Sequence, residues 1–295
     1  MDDNPLAAFY DVLQAAGVAP ASPSALVADG RLHRHRIEGD KPGSLNGWHV
    51  LHLDSPASGA GGSWKTGART NWCSKRPERL TPAERAILRE RIRRERAEAE
   101  AETRRRHAEA AARAAWVWDN AKPANPRHPY LIRKGIAPGI ARQSGASLVL
   151  PVVGLDGALH GLQFIDEQGG KKFLPGTAKK GHYLPVTGTL DDSREIYLVE
   201  GWATGAAVAS MRPSVQVAAA GDAGNLLPLA LAIRERWPSV SLVIAPDFDE
   251  IGRQKGREAA EKARAKLLPP PAEIPAGASD WNDIFCAKRQ GVAHG

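Results

Sequence analysis

Cysteine, long apolar runs and a secretory leader are scarce or missing in this sequence. Its two cysteines, Cys73 and Cys286, lie far apart and form no paired-cysteine motif, which argues against a disulfide framework or a cysteine-based zinc knuckle. No stretch approaches the roughly 20 apolar residues that a membrane helix needs, and the first residues lack the basic and then apolar order of a signal peptide. We therefore expect a cytoplasmic protein with reduced thiols and no membrane partner.

Charge is unevenly distributed along the chain. With 42% hydrophobic and 25% charged residues, the 295 residues fit one or two globular domains. The formal net charge is +7 for residues 29–115 and +6 for residues 121–185, but −2 for residues 186–295. A basic surface beside an acidic part suits a polyanion that one part holds and the carboxylates of the other part process. A general richness in arginine would explain the same charges.

Changes of pattern predict four segments. Residues 1–75 should form a β-rich module after a short amphipathic helix, because strand-like pieces alternate with glycine-rich turns. Residues 76–120 open with a capping box, Thr81 to Glu84, and continue with strong helix formers. They predict one long charged helix, either a solvated spacer or an arginine face for nucleic acid. Residues 121–192 should form a basic α+β segment, and residues 193–295 a final domain.

Apolar strands alternate with helices in this final domain. The strand-like runs are IYLV, SVQVAAAG and LVIA, and a helical pattern separates each from the next. Near-continuous apolar strands joined by helices predict a parallel sheet covered on both faces. The predicted fold class is therefore α/β. It combines a C-terminal parallel sheet flanked by helices with a small preceding α+β segment, a long charged helix and the N-terminal β-rich module.

Acidic residues follow two of these strands. Glu200 comes directly after the first strand, and Asp247 and Asp249 follow the third. Since the carboxyl ends of parallel strands meet at one edge of a sheet, these side chains should lie close together. Asp280 could return to this edge after a short final strand, with Asp283 as the weaker candidate. Such a cluster repels itself unless a cation joins it, and hard oxygen ligands favour Mg²⁺ or Mn²⁺ over Zn²⁺.

The spacing of these acids is typical of a known domain. A strand with Glu-Gly and a helix, followed 47 residues later by a strand with Asp-x-Asp and a helix, resembles the Toprim domain of bacterial-type primases, topoisomerases and certain nucleases. The resemblance implies that Glu200 acts as general acid or base. It also implies that Asp247 and Asp249 hold metal, with Asp280 as a less secure match to the third acidic motif. Catalysis is thus expected at Glu200, Asp247 and Asp249, and metal binding at these three residues and Asp280.

The resemblance extends upstream. Residues 147–184 look like the segment before the Toprim domain in bacterial primases and in plasmid or phage primase-helicases, with a strand pair ending in LQFID and a basic loop, KKFLPGTAKKGHY. It places cations near nucleotide phosphates or the template backbone: Lys171, Lys172, Lys179 and Lys180, with Arg253 and Lys255 as further contacts or as an ordinary basic helix face. The implied function is a DNA primase that makes short primers on single-stranded DNA from nucleoside triphosphates. Such an enzyme would serve phage, plasmid or other mobile-element replication, with any helicase as a separate partner.

The N-terminal module departs from those primases, which usually carry a zinc module. Its candidate ligands, His33, His35, His49, His52 and Cys73, lack paired-cysteine spacing, so no zinc is expected. Aromatic residues interleaved with cations suit single-stranded DNA, which makes Arg34, Arg36, Trp64 and Lys65 candidates. The tryptophans would equally serve as the core of a small domain.

Other functions remain open at this stage. The same carboxylates would serve a Toprim nuclease or strand-transfer enzyme. They would also hold a structural ion in a non-catalytic nucleic-acid-binding adaptor of a replication complex. A topoisomerase needs a tyrosine nucleophile, and the four tyrosines lie outside any evident strand-passage domain.

Overall fold

The computed structural model of the chain describes residues 4–292, with the side chains of 77, 95, 99 and 290–292 left out. It divides into two compact units, with the boundary between Glu100 and Ala101. The segment boundaries expected near residues 75, 120 and 192 remain predictions. None of the helices in the described range is long and apolar enough to cross a membrane.

The helices and strands are numbered in chain order. The α-helices of the described residues are α1 (Pro5–Ala15), α2 (Pro82–Asn120), α3 (Pro129–Lys134), α4 (Trp202–Met211), α5 (Leu226–Arg236), α6 (Glu250–Lys262) and α7 (Trp281–Val292). Short 3-10 helices lie at Pro23–Ala25, Pro77–Arg79 and Ala223–Asn225. The strands are β1 (His33–His35), β2 (Gly47–His52), β3 (Ser58–Ser63), β4 (Arg69–Cys73), β5 (Lys122–Pro123), β6 (Arg142–Ser144), β7 (Ser147–Val153), β8 (Leu159–Ile165), β9 (Lys171–Phe173), β10 (Leu184–Pro185), β11 (Ile196–Val199), β12 (Gln216–Ala219), β13 (Leu242–Ala245) and β14 (Lys266–Leu267).

The first unit contains an antiparallel sheet in the order β1-β2-β3-β4, which confirms the expected β-rich module. Helix α1 covers one face, where Phe9 and Leu13 are fully buried. Glycines in β3 allow this close approach, since a Cβ at Gly59 would lie 2.8 Å from the Phe9 ring. The side chains on the opposite face of the sheet therefore do not pack against α1.

Helix α2 begins as its capping box predicts. The backbone N–H of Glu84 donates to Thr81 Oγ1 at 3.2 Å, and that of Thr81 donates to Glu84 Oε2 at 2.9 Å. Reciprocal bonds of this kind satisfy backbone donors that a helix start leaves open. Beyond the cap, exposed ion pairs such as Arg105 with Glu109, at 2.7 Å, line the helix surface. Each contributes only a few tenths of a kcal/mol.

An antiparallel sheet in the order β5-β6-β7-β8-β9 opens the second unit. Asp156 and Gly157 connect β7 to β8, as the alternating apolar runs predict, and Gly157 adopts a φ of +78° that suits glycine. Strand β9, which carries Lys171, pairs with β8. This sheet therefore holds the first part of the predicted basic loop.

The C-terminal sheet has the order β10-β12-β11-β13-β14 and confirms the predicted parallel sheet. Strands β11, β12, β13 and β14 run parallel, and β10 is an antiparallel edge strand. Successive residues of β11 face opposite sides: Leu198 packs in the cluster with α5 and α6, whereas Val199 packs in the cluster with α4 and α7. Both faces are thus covered by helices, which explains the continuous apolar strands.

Candidate active site

Glu200 and Asp247 extend from two neighbouring parallel strands. Strand β11 ends at Val199, which is in register with Ala245 at the end of β13. The residues that follow, Glu200 and Asp247, therefore meet at the carboxyl edge of the sheet. The backbone N–H of Asp247 donates to Glu200 Oε1 at 3.3 Å. The predicted proximity of these carboxylates is what the parallel register produces.

The negative charges of Glu200 and Asp247 are poorly compensated by their surroundings. Burial, followed by the nearby Glu200 and Asp280 carboxylates, raises the pKa of Asp247 from 3.8 to about 7. Burial also raises the pKa of Glu200, helped by Asp249 and Asp222. One oxygen of Asp247, Oδ1, is buried without a hydrogen-bond partner. A buried carboxylate oxygen without a donor is costly, so this site favours an added proton or cation.

Asp249 contributes mainly as a helix cap. Its Oδ1 accepts from the backbone N–H of Gly252 at 2.6 Å at the start of α6. The absence of a side chain at Gly252 is required here, because a Cβ would lie 2.6 Å from Glu200 Oε1 and 2.9 Å from the backbone oxygen of Asp247. Gly252 thus brings the first turn of α6 against both acidic residues, leaving Oδ2 as the Asp249 oxygen for other partners.

Asp280 reaches the same region from the start of α7. Its Oδ1 accepts from the backbone N–H of Asp283 at 2.9 Å, and the Thr204 hydroxyl donates to its Oδ2 at 3.3 Å. The loop is fixed to the end of β13, because the Phe248 N–H donates to the Ser279 carbonyl at 2.8 Å. The short final strand expected before Asp280 is β14, which lies ahead of the proline-rich stretch.

Two lysines supply positive charge beside these acids. Lys171, on β9, has its Nζ 3.5 Å from where a Cβ of Gly201 would lie, and it interacts electrostatically with Asp247, Asp280 and Glu200. Loss of hydration lowers the pKa of Lys171, although the carboxylates oppose that shift. Lys134, at the end of α3, lies 3.8 Å from Asp280 Oδ2 and 3.7 Å from Asp283 Oδ1.

Among the described residues, none of the other predicted cations forms an ion pair with these acids, and two of them are paired elsewhere. Lys172 follows Lys171 in the same strand and so faces the opposite side of the sheet. Lys179 donates to Asp222 Oδ2 at 2.9 Å and stacks over the Phe173 ring. The remaining predicted cations lie as follows: Lys180 is exposed, Arg253 is exposed in the first turn of α6, and Lys255 pairs with Glu258 at 3.2 Å.

The residues present fit a divalent cation in part. The orphaned Oδ1 of Asp247, the raised pKa values and the oxygen-only donors suit Mg²⁺ or Mn²⁺. Among the side chains described by the structure, no three from His, Cys, Asp or Glu already stand in an arrangement that could hold a metal ion. Of the four predicted ligands, Asp249 and Asp280 each use one oxygen as a helix cap.

The histidines of the first unit form a hydrogen-bonded pair. His35 Nε2 donates to the Val18 carbonyl at 3.0 Å, and His49 Nε2 accepts from the Val27 N–H at 3.1 Å. These bonds fix both tautomers, so Nδ1–H of His49 donates to Nδ1 of His35 at 3.1 Å. All four ring nitrogens are thereby used with both rings neutral. Burial lowers the pKa of both histidines, that of His49 to about 4.

The predicted DNA-binding residues of the first unit differ in solvent exposure and in the hydrogen bonds that they already form. Trp64 is 55% exposed. Lys65 donates to Asp40 Oδ1 at 2.9 Å, and Arg34 Nε donates to the Leu45 carbonyl at 2.9 Å. Arg36 is exposed and lies close enough to Asp40 to lower the pKa of that carboxyl, after Lys65 and Asn46.

Sequence reasoning missed Lys134 and Thr204. Both contact Asp280, yet Lys134 lies 146 positions before it and Thr204 looks like an ordinary residue of an apolar helix. No periodicity links such distant positions. The basic character of residues 121–185 was the only signal available for Lys134.

The C-terminal sheet and its acids correspond to a known domain. Residues 195–290 match the family model of the Toprim domain. This Toprim match confirms the domain that Glu200, Asp247 and Asp249 predict. It includes most of α7 and the loop that carries Asp280.

Most of the chain aligns with two proteins named as DNA primases. Two proteins named DNA primase TraC, both from Escherichia coli, are 32% identical over 258 residues and 31% identical over 268 residues. The aligned parts make up 83% and 86% of this chain but 24% and 18% of those proteins. The chain therefore spans about a quarter or less of the length of these curated relatives.

Two solved primase structures show a limited similarity to the chain. The primase fragment of the bacteriophage T7 primase-helicase protein is 16% identical, with a TM-score of 0.45 over 59% of this chain and 78% of that chain. A DNA primase domain from Pseudomonas aeruginosa is 18% identical, with a TM-score of 0.35 over 52% of this chain and 51% of that chain.

Proposed function

We propose that this chain is a DNA primase that joins nucleotides into short primers on single-stranded DNA. The observation that carries the proposal is the pair Glu200 and Asp247, half-buried at the carboxyl ends of adjacent parallel strands with one carboxylate oxygen unpartnered. Homology to the TraC primases over most of the chain supports priming above the other reactions of Toprim proteins. The replicating element would be a phage, a plasmid or another mobile element.

Glu200, Asp247, Asp249 and Asp280 would hold one or two Mg²⁺ or Mn²⁺ ions. When bound, such ions neutralise phosphate charge and stabilise in-line displacement at phosphorus. Asp247 offers a free buried oxygen, whereas Asp249 and Asp280 offer the oxygen that is not used as a cap. The raised pKa of Asp247 means that a cation at this site competes with a proton near neutral pH.

The reaction is a nucleotidyl transfer. The 3′-hydroxyl of one nucleotide forms a bond to the α-phosphorus of a nucleoside triphosphate, and the bond from that phosphorus to the β-phosphate oxygen breaks, so that pyrophosphate leaves. The proton of the hydroxyl passes to Glu200. Burial raises the pKa of this carboxyl above its usual range, which favours its acting as a proton acceptor.

The lysines supply the charge that the carboxylates lack. Lys171 and Lys134 flank the acids and would contact the phosphates of nucleotide or template. Lys172, Lys179, Lys180, Arg253 and Lys255 would extend the basic surface for the template backbone or the triphosphates. Of these, Lys179 and Lys255 would first have to leave their ion pairs with acidic neighbours.

Labelled-nucleotide incorporation on single-stranded DNA with Mg²⁺ or Mn²⁺ tests the proposal. Wild-type protein should give short labelled products on at least one of several templates. Asp247→Ala should reduce them at least a hundredfold, because it removes the free ligand oxygen. Asp192→Ala, which removes an exposed carboxylate outside the site, should leave them unchanged. Full incorporation by Asp247→Ala would overturn the proposal.

The same assay separates the other candidates. Metal-dependent shortening of DNA without nucleotides, abolished in Asp247→Ala, would indicate a Toprim nuclease. A tyrosine-based strand-passage reaction finds no support, since Tyr130, Tyr183 and Tyr197 are each at least 96% buried and Tyr10 is half-buried. A non-catalytic adaptor would show neither activity while still binding DNA.

A further inference from the structure

The sheet face that α1 leaves open carries a row of aromatic and basic residues. Strand register places Arg34 opposite Trp48, Trp48 opposite Gly62, and Gly62 opposite Arg69. These four residues cross all four strands on one face. The next row on the same face is made of Val50, Ala60 and Asn71.

Small residues shape this row into a platform. The indole of Trp48 lies directly against Gly62, because a Cβ there would be 2.8 Å from Trp48 Nε1. Any larger residue at that position would displace the ring. The ring of Trp64 lies beside that of Trp48, with centroids 5.8 Å apart, and remains 55% exposed.

The tryptophans of this sheet divide between two roles. Trp72 lies in the row of Leu51 and Gly59 and packs against Phe9 in the core beneath α1. Trp48 and Trp64 lie outside that cluster. Core packing therefore accounts for Trp72 but leaves unexplained why two further aromatic rings meet on the open face.

Two arginines flank the aromatic pair. Arg34 and Arg69 are exposed at the two ends of the row, about 14 Å apart if each strand step is about 4.8 Å. Among the side chains that the structure describes, no carboxylate forms an ion pair with either of them, whereas Lys65 is paired with Asp40. Arg34 uses its Nε on the Leu45 carbonyl, so its terminal nitrogens and the guanidinium of Arg69 are available for an anionic partner.

We infer that this face, the Trp48–Trp64 platform with Arg34 and Arg69, binds single-stranded nucleic acid. Bases stack on the exposed indole of Trp64 and on the half-buried indole of Trp48 beside it, and the arginines attract the phosphates on either side. The combination of open aromatic rings with unpaired flanking cations is what sequence-tolerant single-strand binding requires. The inference concerns the first unit alone and does not depend on the proposed priming reaction.

Fluorescence anisotropy of a labelled dT12 oligonucleotide, measured in EDTA without nucleotides, tests the inference on the full chain. Trp64→Ala should weaken binding about fivefold to a hundredfold through lost stacking. Arg69→Ala should weaken binding and reduce the salt dependence by about 0.7 in the slope of log K against log salt. Matched controls are Trp116→Ala, which removes an indole that is 70% exposed on α2, and Arg194→Ala, which removes one exposed positive charge.

An abasic 12-mer distinguishes stacking from charge attraction. Wild type should prefer dT12 over the abasic strand by about tenfold or more, and Trp64→Ala should lose this preference. The same loss should occur in an Asp247→Asn background, so failure of the priming proposal leaves this test intact. If Trp64→Ala and Arg69→Ala, both folded by circular dichroism, bind dT12 as tightly as their controls, the inference is overturned.

Discussion

Replacing Asp247 by asparagine removes a charge from the acidic site while nearly preserving side-chain shape. The pKa of Asp247 is raised from 3.8 to about 7, first by burial and then by Glu200 and Asp280. A carboxyl with a raised folded-state pKa destabilises the fold progressively as pH rises from 3.8 toward 7. Above pH 7 the charged Asp247 therefore costs the cation-free protein about 4 kcal/mol, from about three pKa units at 1.36 kcal/mol each.

Thermal unfolding in EDTA at pH 8 measures this cost. Asp247→Asn should unfold several degrees above wild type, because 1 kcal/mol corresponds to about 2–4 °C in a domain of this size. The stabilisation by asparagine should be smaller than the full cost of the charged aspartate, because the amide protons of asparagine need hydrogen-bond acceptors. At pH 5 the difference should shrink to less than half, because wild-type Asp247 is then mostly protonated.

Divalent cations should reverse the order. Mg²⁺ or Mn²⁺ should raise the unfolding temperature of wild type by mass action, but not that of Asp247→Asn, which lacks the free carboxylate oxygen. Asp192→Asn should behave as wild type throughout. Equal unfolding temperatures of wild type and Asp247→Asn in EDTA at pH 8, with equal increases on adding Mg²⁺, would refute this account of the site.

Three further predictions concern the histidine pair, the glycine beside the acids and the lysines of β9. Burial, and then His35, lower the pKa of His49 from 6.5 to about 4. The first unit should therefore lose about 3 kcal/mol of unfolding free energy as pH falls from 6.5 to 4. Denaturant titrations at pH 7 and 4.5 with equal midpoints would contradict this. Gly252→Ala should reduce nucleotide incorporation more than tenfold, because the new Cβ would collide with the acidic residues. Gly201→Ala should be tolerated, because the nearest contact of its Cβ would be an ordinary 3.4 Å. Similar incorporation rates for the two variants would disprove the steric argument. Lys171→Met should raise the nucleotide KM about tenfold more than Lys172→Met does, because Lys172 faces the other side of the strand. Equal effects of the two variants in steady-state kinetics would exclude a specific role for Lys171.

Local patterns predicted the elements that create the site. Continuous apolar strands between helices identified the parallel sheet, and the position of Glu200 and Asp247 after two of them identified the shared edge. This works because strand direction alone determines where the carboxyl ends meet. The capping box and the Asp156-Gly157 hairpin are equally local, and both occur as predicted.

Contacts between distant segments could not be predicted in this way. The approach of Lys134 to Asp280 depends on how α3 packs near α7, and no sequence period encodes that packing. The helix-cap roles of Asp249 and Asp280 compete with metal binding, and a lone acidic residue after a strand is compatible with both. Likewise, alternation in β2 and β4 gives two faces, but only the position of α1 shows that Trp72 belongs to the core and Trp48 to the open face.

Template-dependent primer synthesis by Glu200→Gln, compared with Glu235→Gln, tests the central claim most directly. The first variant removes the proposed proton acceptor at the sheet edge, and the second removes an exposed glutamate on α5. The account predicts that Glu200→Gln makes primers about a hundredfold to ten-thousandfold more slowly than wild type, as expected for loss of a general base, and that Glu235→Gln matches wild type. Primer synthesis by Glu200→Gln at the wild-type rate would contradict it.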